Sequence, residues 1–344
     1  MVIISPVAVP SPSTVAERDP LADRKRLRPV YTFGRYLKKR FGERVRKIPV
    51  GLSGFTCPNI DGTVAKGGCT FCLNESFSPN LAQNAGKTFL NLRSSSNPIL
   101  DKQLRELHEQ VTRTREFFLR EQGVRKYLVY FQAFTNTYAP FETLRTLYDR
   151  ALVYPGVVGL SIGTRSDSVT DETLEYLAEL SKKHEIWIEY GIQSIYDATL
   201  ERINRGHDAL NAKQAIKKAK GYGLKVCGHL IFGLPGESRE MMIDSAKAAY
   251  DWGIDSVKYH PLYVVKQTLL AHEYRRGEFT PIAQEAYLEV LAEALRLKPE
   301  NVSVQRMSAG IEDATLLAPA WCGESKNAQM AAIRKRLETE GWCL

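Results

Sequence analysis

From about residue 125 onward the apolar positions fall into one repeating theme, a short run of β-branched or aromatic residues followed by a stretch in which apolar residues recur every three or four positions. The first half of the theme suits a buried strand and the second an amphipathic helix. The runs begin near 126, 157, 185, 225 and 255. Such spacing holds strand, loop, helix and loop, the crossover that consecutive parallel strands require. An earlier strand is expected over residues 47–52 and a long helix over 100–120, which makes six units. Six parallel strands with outer helices form either an open doubly wound sheet or an incomplete barrel, and periodicity does not choose between them. After about residue 300 the pattern changes: 302–307 reads as an edge strand and 327–340 as a closing helix.

The polar residues that interrupt the theme sit at one end of it. Cys57, Cys69 and Cys72 follow the first strand, Asn136 the second, Thr164 and Arg165 the third, Gln193 the fourth, residues 229–235 the fifth and His260 the sixth. Barrel enzymes assemble their sites at the carboxyl ends of strands, so one shared site is expected there.

With 44% hydrophobic and 25% charged residues in 344, the chain is neither fibrous nor largely disordered. No run approaches the ~18 apolar residues of a membrane-spanning helix, so no membrane partner is expected. Residues 1–16 are apolar and Pro/Ser-rich but have no basic leader ahead of an apolar run, which suits a loose tail better than a secretory signal. The six cysteines, at 57, 69, 72, 227, 322 and 343, are too few and too unevenly placed for a disulfide scaffold, and a reducing cytoplasm is the expected location. Charge changes the picture more. Residues 1–50 carry 12 Lys/Arg against 4 Asp/Glu, while the remainder balances at 35 against 35. The whole formal charge of +8 therefore belongs to the leading segment, with its Arg24-Lys25-Arg26 and Lys38-Lys39-Arg40 clusters. Such a segment attracts phosphate-bearing partners or serves as a solubilising surface.

The cysteines carry the candidate chemistry. Eleven residues separate Cys57 from Cys69 and two separate Cys69 from Cys72, and the intervening Asp61-Gly62 and Gly67-Gly68 are turn formers that bring Cys57 back to the pair. Structural zinc needs a fourth ligand nearby, and the nearest histidine, His108, lies well beyond the loop. A cubane iron-sulfur cluster on three thiolates keeps one iron open to another ligand. Cys227 reads as a small packed hydrophobe, and Cys322 with Cys343 are too few for a second centre.

The cysteine loop with Phe71 before Cys72 is joined by Tyr130-Phe-Gln-Ala-Phe-Thr-Asn-Thr-Tyr-Ala-Pro140, Ile162-Gly-Thr-Arg165, Tyr190-Gly-Ile-Gln-Ser194, Asn204-Arg-Gly-His207 and His229-Leu-Ile-Phe-Gly-Leu-Pro-Gly-Glu237. Together these segments resemble the radical S-adenosylmethionine (SAM) enzymes of the YhcC/YtqA type, relatives of the catalytic subunit of Elongator, from about residue 31 to the end. The resemblance implies an α/β fold, a partial (β/α)6 TIM-like barrel over 31–300, with an N-terminal tail over 1–30 and a C-terminal extension over 301–344. It implies a 4Fe-4S cluster on Cys57, Cys69 and Cys72, whose open iron is chelated by SAM and whose electron cleaves the sulfonium to a 5'-deoxyadenosyl radical. It further implies SAM contacts from Phe71, Thr135, Asn136, Thr164 or Arg165, Gln193, Arg205, His229 and Gly233. Arg205 follows Gln193 by twelve residues, the separation seen in the related oxygen-independent coproporphyrinogen oxidases. Gly163 stands where several relatives carry a ribose-binding glutamate. Tyr259, His260 and Lys266, after the sixth strand, are expected at the mouth as substrate contacts. The YhcC/YtqA branch is associated with tRNA wobble-uridine maturation from carboxymethylaminomethyl to aminomethyl. The expected partners are therefore tRNA, with Tyr138, Phe141 and Tyr263 as stacking candidates, and a cellular electron donor. The alternatives are radical chemistry on a small metabolite or a protein, and a zinc-binding RNA module.

Overall fold

The computed structural model describes residues 27–74 and 89–344. Residues 1–26, with the Arg24-Lys25-Arg26 cluster and most of the expected tail, lie outside the described residues. Each expected strand is present: β2 (Val45–Val50), β3 (Lys126–Phe131), β4 (Val157–Thr164), β5 (Glu185–Gln193), β6 (Lys225–Phe232) and β7 (Ser256–Pro261). They pair in parallel in sequence order, and a seventh, β9 (Ser303–Arg306), adds parallel to β7 at the edge. The last strand of the sheet thus comes from beyond residue 300. A short β1 (Arg28–Pro29) pairs with β11 (Trp342–Cys343), and β8 (Val264–Val265) with β10 (Leu316–Ala318).

Helices return the chain between strands, and their starts are written locally. Thr170, Asp208 and Ser238 accept hydrogen bonds from the amides of Thr173, Asn211 and Met241, capping the helices Asp171–Ser181, Ala209–Gly221 and Arg239–Asp251. The return from β2 to β3 is the long helix Leu100–Gln122, and the closing helix is Lys326–Thr339.

The sheet curls, as the approach of its two edges shows: Lys47 Nζ on β2 donates to Gln305 Oε1 on β9 at 2.5 Å. The result is a half-barrel. Strand side chains alternate between its outer and inner surfaces. The outward set, including Val50, Phe131, Ile162, Tyr190, Phe232 and Val257, packs under the helices as the main core. The inward set is layered. At the amino end of the strands the helix Phe33–Phe41 plugs the interior, with Phe33 and Tyr36 edge-on to Trp187 at 5.0 and 5.5 Å. A charged layer follows, and above it a cavity opens at the carboxyl ends. Among the described residues no helix is long and apolar enough to cross a membrane.

Candidate active site

The loop after β2 wraps the mouth of the half-barrel and is tied down by backbone capture. Cys57 O accepts from the amides of Ile60 and Asp61, at 2.7 and 3.1 Å, and Cys72 N donates to Cys69 O at 2.9 Å, so both cysteine turns are closed locally. Asn204, in the left-handed conformation at φ 54°, donates through Nδ2 to Lys66 O and Gly68 O at 2.9 and 2.8 Å. Asn59 Nδ2 donates to Arg205 O at 2.9 Å. The Asn204-Arg-Gly-His207 segment is therefore the clasp that holds the cysteine loop over the strands.

Cys57, Cys69 and Cys72 line one cavity with Phe71, Asn74, Thr135, Thr164, Arg165, Gln193, Arg205, His229 and His260. Amide and guanidinium nitrogens surround the sulfurs: Asn59 Nδ2 and Arg205 Nη1 lie 3.7 Å from Cys69 Sγ, and Asn74 Nδ2 lies 3.8 Å from Cys72 Sγ. Such donors stabilise sulfur that carries negative charge. Arg205 is 6% exposed and anchors its Nη2 on Gly191 O at 2.7 Å. A Cβ at position 191 would stand 2.9 Å from that nitrogen and 2.7 Å from Gln193 Nε2, so the glycine makes room for both side chains. Gln193 and Phe134 hold φ values of 68° and 60°, left-handed backbone kept in place by the surrounding fold.

Several buried polar atoms here have no partner: Gln193 Oε1, Arg205 Nε and Arg165 Nη1. Buried polar atoms ordinarily find a partner in protein, water or ligand, and these three lie together at one cavity. Three thiols, an unpaired carboxamide oxygen and two unpaired guanidinium nitrogens in one cavity suit an iron-sulfur cluster beside a zwitterionic amino acid and a ribose. The donor set fits the cluster and SAM. Arg165 is itself fixed by Asp167, Nε to Oδ1 at 2.9 Å, and although burial raises the Asp167 pKa, Arg165 outweighs it and keeps this carboxyl below its ordinary range.

Beneath this lies the charged layer. Glu189, fully buried on β5, bonds Lys47, Lys258 and Ser161 and accepts from His229 Nε2 at 2.9 Å. Burial raises its pKa, but Lys258, Lys47 and the His229 contact outweigh burial and hold the carboxyl well below the usual range. Burial first, then Lys258, lowers His229 to about 4, and burial with Arg306 lowers His260 well below ordinary histidine. Both imidazoles are neutral at pH 7. Glu189, Cys227 and His229 also present three ligand atoms within 4.8 Å of one another. The Glu189 oxygens are already engaged by two ammonium groups, which makes the trio a poor cation site.

Four residues read as site residues fall outside the cavity lining. Asn136 turns its amide onto Gly163 O at 2.9 Å. Gly233 packs against Ile282, which a Cβ there would strike at 2.7 Å. Tyr259 points to the outer face of β7, stacked on Phe232 at 5.3 Å and bonded to Tyr250, because it alternates with His260 along the strand. Lys266, just past β8, has its backbone amide on Thr315 O. Of the stacking candidates Tyr263 lines the cavity, Tyr138 is buried with its hydroxyl on Thr63 Oγ1 at 2.8 Å, and Phe141 packs edge-on to Tyr176. Tyr130, Glu189 and Arg306 also line the cavity, with Lys258 behind them, and none of the four is among the expected site residues. For Tyr130, Glu189 and Lys258 the signal is a charge or hydroxyl at alternate positions of otherwise apolar strands; Arg306, in a polar strand with a register shift, carries no such signal.

Comparison with known proteins agrees with this geometry. A model of the Radical SAM superfamily matches residues 62–249, and one of the Radical SAM C-terminal domain matches 254–339. The chain is 36% identical over 313 residues to Protein YhcC of Escherichia coli (strain K12), covering 91% of this chain and 93% of that protein. It is 32% identical over 187 residues to the tRNA uridine(34) acetyltransferase of Methanocaldococcus infernus, covering 54% of this chain and 34% of that one. Among solved structures the archaeal Methanocaldococcus infernus Elp3 with an N-terminal deletion superposes with a TM-score of 0.56 at 20% identity, over 87% of this chain and 64% of that chain. That likeness supports the half-barrel fold. Enzymes of this superfamily use a 4Fe-4S cluster and SAM. From three cysteines over a curled parallel sheet, and from these matches, the chain belongs to the radical SAM superfamily as a relative of YhcC.

Proposed function

We propose that this enzyme acts on the wobble uridine of tRNA, converting a carboxymethylaminomethyl side chain to aminomethyl, with SAM as the two-electron oxidant and water releasing the carboxymethyl carbons as glyoxylate. In this reading Cys57, Cys69 and Cys72 hold three irons of the cluster and leave the fourth to SAM. When bound, the pair supplies reductive cleavage of the sulfonium and a 5'-deoxyadenosyl radical. The protein's share is placement. Arg205, anchored on Gly191 and set against Cys69, receives the SAM carboxylate, which a guanidinium grips in bidentate fashion. Gln193 and Thr164 or Arg165 receive the ribose and its neighbours, Phe71 and Thr135 line the approach, and His229 contributes as a neutral hydrogen-bonding group. The observation that carries the reading is the convergence of the three cysteines and the unpaired atoms of Gln193, Arg205 and Arg165 on a single cavity.

The tRNA assignment is supported by the partial match to a tRNA uridine(34) acetyltransferase and by the basic leader, whose Lys38, Lys39 and Arg40 lie in the last turn of the plug helix. Positive charge of this kind tracks RNA phosphates, and Tyr263 at the cavity offers a stacking face for a splayed base. Six free cysteines suit a reducing, cytoplasmic setting with a cellular reductant as electron donor. The test is nucleoside mass spectrometry of tRNA from cells lacking the protein, where carboxymethylaminomethyluridine should accumulate and the aminomethyl form disappear. Unchanged nucleosides would refute the substrate assignment. Arg205→Ala should weaken SAM binding about 10-fold or more, the scale of a lost hydrogen bond to a charged group, while iron content stays near wild type. Equal SAM affinity in the variant would remove Arg205 from that role.

A further inference from the structure

The inner charged layer is not balanced. Glu189 is the only carboxylate among the described residues lining the cavity, and it is committed to Lys47, Lys258, His229 and Ser161. Of the three arginines in the lining, Arg165 is paired with Asp167 and Arg205 faces the cysteines. Arg306 has neither. Among the described residues its guanidinium has no ion-pair or hydrogen-bond partner, although the residue is largely buried.

Its place is set by a break in strand register. Along the β7 and β9 pair Val257 lies opposite Val304, but Lys258 lies opposite Arg306, so Gln305 is the extra residue of a bulge. Without the shift Gln305 would share the inner rung with Lys258, and Arg306 would point out toward the helices. A bulge re-aims a side chain in this way, and bulges concentrate beside active sites. The rung it reaches is that of Lys258, one step below His260 and so below the loops that close over the mouth.

We propose that Arg306 reads an acidic group on the substrate, receiving in bidentate fashion the carboxylate that ends the carboxymethylaminomethyl side chain. The proposal rests on the tRNA reading above and adds its specificity determinant: the aminomethyl product lacks this group and loses the contact. A planar fork suits a carboxylate. An RNA phosphate offers the same charge, and comparing oligonucleotides with identical phosphates separates the two sources. Neutral His229 and His260, with rings 6.0 Å apart, flank the position as hydrogen-bonding groups.

The test is equilibrium binding of a synthetic anticodon stem-loop carrying either carboxymethylaminomethyluridine or aminomethyluridine at the wobble position. Both forms share every phosphate and the side-chain amine and differ in the carboxymethyl group that bears the carboxylate. The full chain should prefer the carboxylate form by about 10- to 100-fold, the range for hydrogen bonds to a charged group. Arg306→Gln should bring the ratio close to one without changing affinity for the aminomethyl form. Arg306→Lys, which keeps the charge and lacks the fork, should retain part of the ratio, and it carries the test if the glutamine variant does not fold. An Arg306→Gln protein with the full preference would overturn the inference and leave the tRNA reading intact. A wild-type ratio of one would also overturn it, and the nucleoside profile of cells lacking the protein then decides whether the tRNA reading falls too.

Discussion

Replacing Cys57, Cys69 or Cys72 singly by Ala leaves a folded protein that holds less iron and cleaves SAM at below roughly one hundredth of the wild-type rate, a larger loss than the 10- to 100-fold typical of changes outside the ligand set. The fold survives because the loop does not depend on the thiols for its closure. It is held by backbone bonds at Cys57 and Cys69, by Asn204 on Lys66 and Gly68, and by Asn59 on Arg205. Iron determination, SAM cleavage and a thermal melt on the same anaerobic sample separate the outcomes. Cleavage retained in any one of the three variants removes that cysteine from the ligand set. The same changes at Cys227, which burial and then Glu189 keep firmly as a thiol, should leave the cluster in place.

Glu189→Gln carries the largest expected effect on stability. The substitution keeps the volume but leaves Lys47 and Lys258 buried without their counter-charge, and breaking a buried ion pair from one side costs about 3–5 kcal/mol. The pH dependence gives a second signature. Burial, opposed by Glu189, already lowers Lys47 to about 8, and Lys258 is lowered for the same reason. A lysine whose folded pKa is below its unfolded value near 10.5 destabilises the fold at low pH, and the penalty fades as pH rises through the folded value toward the unfolded one. With Glu189 gone both lysines shift further down. The variant should therefore recover stability relative to wild type between about pH 7 and pH 10, in denaturant melts at the two ends of that window. A variant within about 1 kcal/mol of wild type at pH 7 would mean that the charges are not buried together.

The fold was legible where local pattern decides it. Strands beginning near 126, 157, 185 and 225 are found at those positions because β-branched and aromatic runs covered by helices on the outer face leave little else for the chain to do. The choice between an open sheet and a barrel was not legible from periodicity, since curl depends on contacts such as Lys47 with Gln305 that join the two ends of the chain. The site followed the same division. Cysteine spacing, turn residues and the Gln193 to Arg205 interval are local features, and these residues meet in one cavity. What escaped is the charged layer, in which Lys47, Glu189 and Lys258 come from three separate strands. Tyr259, expected at the mouth, faces outward because a one-residue step along a strand from His260 inverts the direction of the side chain. Arg306 was invisible for the complementary reason: a bulge shifted the alternation by one, and no turn residue marks it.

The central claim is a three-thiolate cubane whose remaining iron takes SAM. Its most direct test is iron and sulfide determination on anaerobically prepared protein, with the electron paramagnetic resonance spectrum of the reduced sample recorded with and without SAM. The expected result is about four irons and matching sulfide per chain and a cubane signal that changes when SAM is added. Protein that carries zinc or no iron, or a cluster whose spectrum is indifferent to SAM, would contradict it.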